Sequence, residues 1–227
     1  MSPPYSLRAL ASVAALAVPF FACSDDDGTS SSTTTSSTTG APSCTLPFIG
    51  DETQDPEMEL FFFGADQMDE ALVDGGEIDI IEPPQGGRVL FVGVRATNVD
   101  PCGVTLTGAL RDPATTLVRF DTRNFNLKDD GMGYGRSAAG DIASYANIPV
   151  CHNTWLETDI YGSTFSLEVT LKDSRGRETM ETISVVPTCA EPGDKQVQCE
   201  CICKGGYVLG EACGSGGGGV GGSGGGG

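Results

Sequence analysis

Several stretches of the chain alternate between apolar and polar residues, which is the pattern of strands with one buried face. The stretch 88–98 is β-branched and aromatic, and the alternation is clearest in 104–111 and 164–172. The residues expected to face the core are Leu90, Val92, Val94 and Ala96 in the first stretch, Val104, Leu106, Gly108 and Leu110 in the second, and Phe165, Leu167, Val169 and Leu171 in the third. Further strands are predicted at 77–81, 115–125, 142–150 and 177–186. The pattern therefore predicts an all-β domain of about seven strands.

The last two predicted strands form the clearest hairpin. A turn over 173–176 joins them, and the second strand ends before Pro187. This pair resembles the closing hairpin of bacterial immunoglobulin-like and PKD-like domains. The resemblance implies an immunoglobulin-like antiparallel β-sandwich over residues 44–189, a length of about 145 residues that suits a single core. Helix is expected only at 66–73, which is acidic at its start and is followed by two glycines.

The N-terminus has the layout of an export signal. Arg8 precedes an uncharged apolar run over 9–22, which is too short to cross a bilayer core of about 30 Å but suits a cleaved signal peptide over 1–22. The run ends in Phe20-Phe21-Ala22-Cys23, which resembles the lipobox of bacterial lipoproteins. The resemblance implies that Cys23 becomes the lipidated N-terminus and attaches the protein to a membrane. An ordinary secretory signal, cleaved near Ala22, is the alternative.

Two segments are too polar or too glycine-rich to form a core. Residues 23–43 are rich in Ser, Thr, Asp and Gly and cannot bury enough apolar surface to offset the entropy of ordering, so a disordered tether is expected there. Residues 214–227 are a Gly-rich tail of low complexity. Ser24 follows the lipobox cysteine, which by analogy with enteric sorting favours the outer membrane or cell surface.

The cysteine count supports export. The chain has nine cysteines, an odd number that leaves one unpaired in an oxidising compartment. If Cys23 carries a lipid, eight remain, and they can form four disulfides. These candidates are Cys44, Cys102, Cys151, Cys189, Cys199, Cys201, Cys203 and Cys213. The sequence leaves their pairing open.

Residues 190–213 form a separate cysteine-rich segment. Its end, from Cys201 to Cys213, is similar to the last part of EGF-like modules, although a full module needs more cysteines than the segment contains. The resemblance implies a disulfide between Cys203 and Cys213 and a stapled C-terminal tail. A four-thiolate metal site is the alternative, but an oxidising compartment consumes thiols, so no metal is expected.

Charge and motif content exclude several functions. With 31 acidic and 13 basic residues, the chain has a net charge of −18, which is unsuited to binding nucleic acid phosphates. The only histidine, His152, rules out a His-Glu-x-x-His zinc motif. We expect no cofactor and no enzymatic activity, although the many acidic residues leave a hydrolase with paired carboxylates as an alternative.

Two ligand types remain as hypotheses. Calcium would require carboxylates in loops, for which Asp129, Asp130 and Asp173 are the candidates, although solvated turn residues are the commoner explanation for them. A glycan would stack on exposed aromatic residues, for which Trp155 and Tyr161 are the candidates, with core packing as the alternative for Trp155. The sequence thus predicts a non-enzymatic, lipid-anchored module of the cell envelope whose partner is an unknown protein or glycan.

Overall fold

The computed structural model describes residues 44–213, which contain eleven strands, one 3-10 turn and one helix. The elements are β1 (Glu57–Phe63), β2 (Asp69–Ala71), β3 (Gly76–Asp79), β4 (Arg88–Thr97), β5 (Val104–Arg111), β6 (Val118–Phe125), β7 (Lys128–Asp129), β8 (Gly135–Arg136), the turn Ile142–Ser144, β9 (Ala146–Cys151), β10 (Phe165–Lys172), β11 (Glu178–Thr188) and α1 (Asp194–Cys203).

The strands form two sheets that enclose one core, which confirms the predicted all-β sandwich. The first sheet has the order β2-β1-β4-β8-β7, and β9 also pairs with β4; the second has the order β3-β11-β10-β5-β6. Every strand pair is antiparallel except β3 with β11, which is parallel. The predicted closing hairpin is present, with Phe165 opposite Val185 and Lys172 opposite Glu178.

The main core lies between the sheets and uses the faces that the alternation predicted. Leu90, Val92, Val94 and Ala96 of β4 are fully buried, as are the apolar residues of β5 and β10 that face them. The cysteine-rich segment adds Cys199, Ile202, Cys203 and Tyr207 to the same core. This segment therefore packs on the sandwich.

A second, smaller apolar cluster lies on the outer face of the first sheet. Its buried members are Phe61, Ile81, Val89, Phe91 and Tyr145. The rings of Phe61 and Tyr145 meet edge to face, with centroids 5.8 Å apart. Both rings lie over Gly93 of β4, where a Cβ atom would stand 2.8 Å from Tyr145 Cε1 and would also overlap the ring of Phe61. Glycine at this position lets the aromatic rings approach the sheet.

Replacing Gly93 by alanine is expected to lower the free energy of unfolding by about 1–3 kcal/mol, because the added methyl group overpacks this cluster. Urea denaturation with the disulfides intact would measure the change. In a Phe61→Ala background the cost of Gly93→Ala should shrink, since one of the two clashing rings is gone. An equal cost in both backgrounds would contradict this explanation.

The predicted helix at 66–73 is wrong. The segment makes a tight turn, in which the Gln67 N–H donates to the Gly64 carbonyl, and then forms β2 against the end of β1. Phe61 lies opposite Ala71 in that hairpin. Pairing with a buried strand has outweighed the helical pattern of a short, polar segment. The strand predicted at 142–150 instead begins with a 3-10 turn and becomes β9 at Ala146.

Four disulfides join all eight cysteines of the described residues. The pairs are Cys44–Cys102, Cys151–Cys203, Cys189–Cys199 and Cys201–Cys213. The Cys203–Cys213 bridge implied by the EGF-like resemblance is wrong, because the segment is helical from Asp194 to Cys203. Side chains two apart on a helix point in different directions, so Cys203 faces β9 and Cys201 faces the chain end.

A buried arginine clamps this helix to the sandwich. Arg88, at the start of β4, is 1% exposed and forms an ion pair with Glu191 just before α1. Its guanidinium also donates to the Lys195 carbonyl at 3.1 Å and to the Gln198 side chain at 3.2 Å. Glu191 accepts a further hydrogen bond from the backbone N–H of Glu82 at 3.0 Å.

No helix among residues 44–213 is long and apolar enough to span a membrane.

Candidate binding cleft

Along one side of the sandwich, parts of β1 and β11 have no neighbouring strand. β2 covers only the end of β1, from Phe61 onward, and β3 covers only the last residues of β11, from Val185 onward. The uncovered parts of β1 and β11 border a cleft of about 510 Å³, which we call the edge cleft. Its apolar lining residues, which we call the base, include Met58, Leu60, Phe61, Leu72 and Ile183, and its charged lining residues, which we call the rim, are Glu59, Asp69, Glu70, Arg95, Arg136 and Glu181.

Two arginines of the edge cleft are held by carboxylates. Arg95 Nε donates to Asp130 at 2.7 Å, and Arg95 Nη1 donates to Glu59 at 3.0 Å. Burial raises the pKa of Asp130, but hydrogen bonds from Arg95 and from two backbone amides lower it by a larger amount. The pKa of Asp130 is therefore below its ordinary value. Arg136 Nη2 donates to Asp69 at 2.6 Å. These arginines are neutralised and offer little to an anionic ligand.

Asp69 connects this charged rim to the outer apolar cluster. The hydroxyl of Tyr145 donates to the second oxygen of Asp69 at 2.8 Å. Burial and the neighbouring Asp69 raise the pKa of Tyr145, so its hydroxyl stays protonated and remains a donor. The guanidinium of Arg136 also lies 4.9 Å from the ring centre of Phe61. The network fixes the wall of the cleft that β2 provides.

Two carboxylates of the edge cleft lack a cationic partner. Among the described residues, neither Glu70 nor Glu181 has a Lys or Arg nitrogen within 4.0 Å. Because the two arginines are already paired with acids, these two charges are uncompensated. The cleft thus combines an apolar base with a net negative rim, which suits a ligand that is both cationic and apolar.

Few features of the sequence indicate this site. Arg95 carries one signal, since it is a charged residue in a mostly apolar strand, whereas Arg136 belongs to a strand of two residues that has no such pattern. The sequence pattern places Glu70 in a helix and predicts no strand at β1. The cleft depends on where β2 and β3 end, and that is a tertiary property.

The aromatic pair considered for glycan binding lies elsewhere. Trp155 is half-buried, its indole N–H donates to the Val150 carbonyl at 3.0 Å, and its ring packs against Phe165. It also lines a smaller cavity of about 230 Å³, but Tyr161 is not among the residues that line that cavity. Tyr161 is half-buried against the main core. These contacts favour core packing as the role of Trp155.

The three carboxylates considered for calcium do not converge. The described residues hold no group of acidic side chains whose oxygens come within 4.8 Å of one another around these positions. Asp129 accepts from the Gly131 N–H, and Asp130 binds Arg95. Asp173 is buried and accepts from three backbone amides, those of Asp100, Arg175 and Arg177. Their oxygens shape turns.

Three neighbouring cysteines and His152 are engaged in other contacts. Cys189, Cys199 and Cys203 lie close together, but each is in a disulfide, so no thiolate is left to bind a metal. His152 is exposed and stacks on Tyr207 with ring centroids 5.4 Å apart. Cys23 and the tether around it lie outside the described residues.

No protein-family model matches this chain, and no curated protein or solved structure is similar enough to match it. The indications of its function therefore come from the fold and the edge cleft.

Proposed function

We propose that this protein is a lipid-anchored module of the bacterial cell envelope that acts by binding a partner and not by catalysis. The observation that carries the proposal is the complete pairing of the eight cysteines at positions 44–213 into four disulfides. Such pairing belongs to an oxidising, exported environment. It also leaves Cys23, in the lipobox-like Phe20–Cys23, as the ninth cysteine of the sequence. The odd count then follows from its use as a lipid attachment site.

Two further observations favour binding over hydrolysis. A general acid needs a raised pKa, but among residues 44–213 every shifted carboxyl group has a lowered one. These groups are Asp51, Asp100, Asp112, Asp130, Glu168 and Glu211. Burial raises and hydrogen bonds lower the pKa of each, and the hydrogen bonds dominate. The edge cleft, with its apolar base and negative rim, supports a binding role.

Replacing Cys23 by serine is expected to abolish acylation and to move the protein from the detergent phase to the aqueous phase, because serine offers no thiol for the lipid. The measurement is the intact mass of the detergent-extracted full-length product, together with its phase partitioning. Wild type should begin at Cys23 with added acyl mass and should show eight further thiols only after reduction.

Cys44→Ser is the matched control. It removes a cysteine and breaks one disulfide, but it should leave the acyl mass and the detergent partitioning unchanged. A water-soluble wild-type product without acyl mass would refute the lipid anchor and leave a secreted protein.

A further inference from the structure

We infer that the free edge of β11 between Glu178 and Thr182 binds an extended, basic segment of a partner protein by strand addition. The inference builds on the proposed binding function and names where the partner binds and what chemistry it carries. Strand addition joins an extended peptide to an open sheet edge through backbone hydrogen bonds, and the side chains that face the sheet provide specificity.

The backbone of β11 shows which groups are free. The Ser184 carbonyl accepts from the Gly75 N–H at 2.8 Å, and the Ser184 N–H donates to Asp74 at 2.7 Å. The backbone N–H and C=O groups of Ser184 therefore point away from β10. Since backbone groups alternate along a strand, Thr182 and Met180 direct their N–H and C=O groups to the same side. On that side, away from β10, these backbone groups of Met180 and Thr182 have no hydrogen-bond partner among residues 44–213.

The edge is open to an incoming chain. Met180 is 66% exposed and Thr182 is exposed as well. β3 already pairs with β11 from Val185 onward, so an added strand would continue the line of β3 along the same edge. Its inward-facing side chains would enter the edge cleft above Ile183, where about 510 Å³ is available. An unprotected edge with room beside it is a template for another strand.

The negative charge of the edge cleft determines which type of partner fits. Inward-facing side chains of the added strand would meet Glu181 and Glu70, the two carboxylates without cationic partners. A second copy of this chain would bring the same acids to the edge, and the chain as a whole carries a charge of −18, so self-association through this edge is opposed by repulsion. A segment in which Lys or Arg alternates with apolar residues complements both the rim and the base of the cleft.

The test uses the full-length protein in detergent and a short blocked peptide of alternating lysine and valine as the probe. Fluorescence anisotropy should show saturable binding, and hydrogen exchange should slow at the amides of Met180 and Thr182. N-methylating the peptide amides that would face β11 should weaken binding about tenfold or more, because the backbone hydrogen bonds are lost. Glu181→Gln should weaken binding several-fold, whereas Glu157→Gln, the same change on a remote loop, should not.

Thr182→Pro removes the free N–H without breaking the ladder to β10, and it should weaken binding as N-methylation does. If this variant does not fold, the N-methylated peptide decides alone. Equal affinity for the N-methylated peptide, or for an alternating glutamate–valine peptide, would overturn strand addition by a basic segment. So would dimerisation that protects the same amides, or absence of binding at about 1 mM peptide. None of these results affects the acyl mass at Cys23, so failure here is distinguishable from failure of the proposed anchor.

Discussion

Replacing Glu191 by alanine should lower the free energy of unfolding by about 3–5 kcal/mol, the range for removing one partner of a buried ion pair. Arg88 would remain buried, and its nearest other carboxylate, Glu82, lies 3.7 Å away and is 34% exposed. Urea denaturation of the oxidised protein would measure the loss. The same change would also free the start of α1, because the Arg88 clamp would lose its strongest contact.

Lys195→Ala is the matched control. Lys195 binds the other oxygen of Glu191 at 2.8 Å, but its side chain is 55% exposed, so its removal should cost less than about 1 kcal/mol. Replacing both Arg88 and Glu191 by apolar residues of similar size should restore much of the stability, since no unpaired charge would then be buried. Equal losses for Glu191→Ala and Lys195→Ala would contradict the importance of burial.

Removing the Cys151–Cys203 disulfide by a double alanine substitution should lower the free energy of unfolding by about 2–5 kcal/mol. This bond closes a loop with a sequence separation of 52 and fixes the end of α1 to β9. Without it, helix α1 should become the first part of the domain to be cut in limited proteolysis. Denaturation without reductant, followed by mapping of the cleavage sites, would check both effects.

The Cys201–Cys213 pair provides the comparison. It spans a separation of only 12, so the loop-closure entropy that it removes from the unfolded chain is smaller by about 1 kcal/mol. The corresponding double alanine variant should be destabilised less and should keep α1 protected. If the two variants were equally stable, loop length and helix docking would not explain the role of Cys151–Cys203.

The sequence predicted the strands whose two faces have different environments. In β5 and β10 one face is in the main core and the other faces solvent, so apolar and polar residues alternate and the burial could be assigned residue by residue. In β1 the alternation is absent, because Leu60 and Phe62 enter the main core while Phe61 enters the outer cluster. A strand that is buried on both faces has no period of two to detect.

The edge cleft and helix α1 could not be predicted for related reasons. α1 contributes Cys199, Ile202 and Cys203 to the core, but its remaining residues are mostly polar and give no clear apolar stripe. Its disulfides follow from that helix, so the pairing could not be read from cysteine spacing. The edge cleft arises because β2 and β3 are only three and four residues long, and strand ends are set by tertiary pairing.

The Cys44–Cys102 disulfide also sets a path for mechanical force. Residues 45–101 lie inside the covalent loop that this bond closes, so a pull on the chain ahead of Cys44 has a covalent path through Cys102 to β5, which begins at Val104. From β5 the second sheet continues through antiparallel pairing to β10 and then to β11. A partner bound to the edge of β11, as inferred above, would therefore pull on the same sheet that the Cys44–Cys102 disulfide joins to the chain ahead of Cys44.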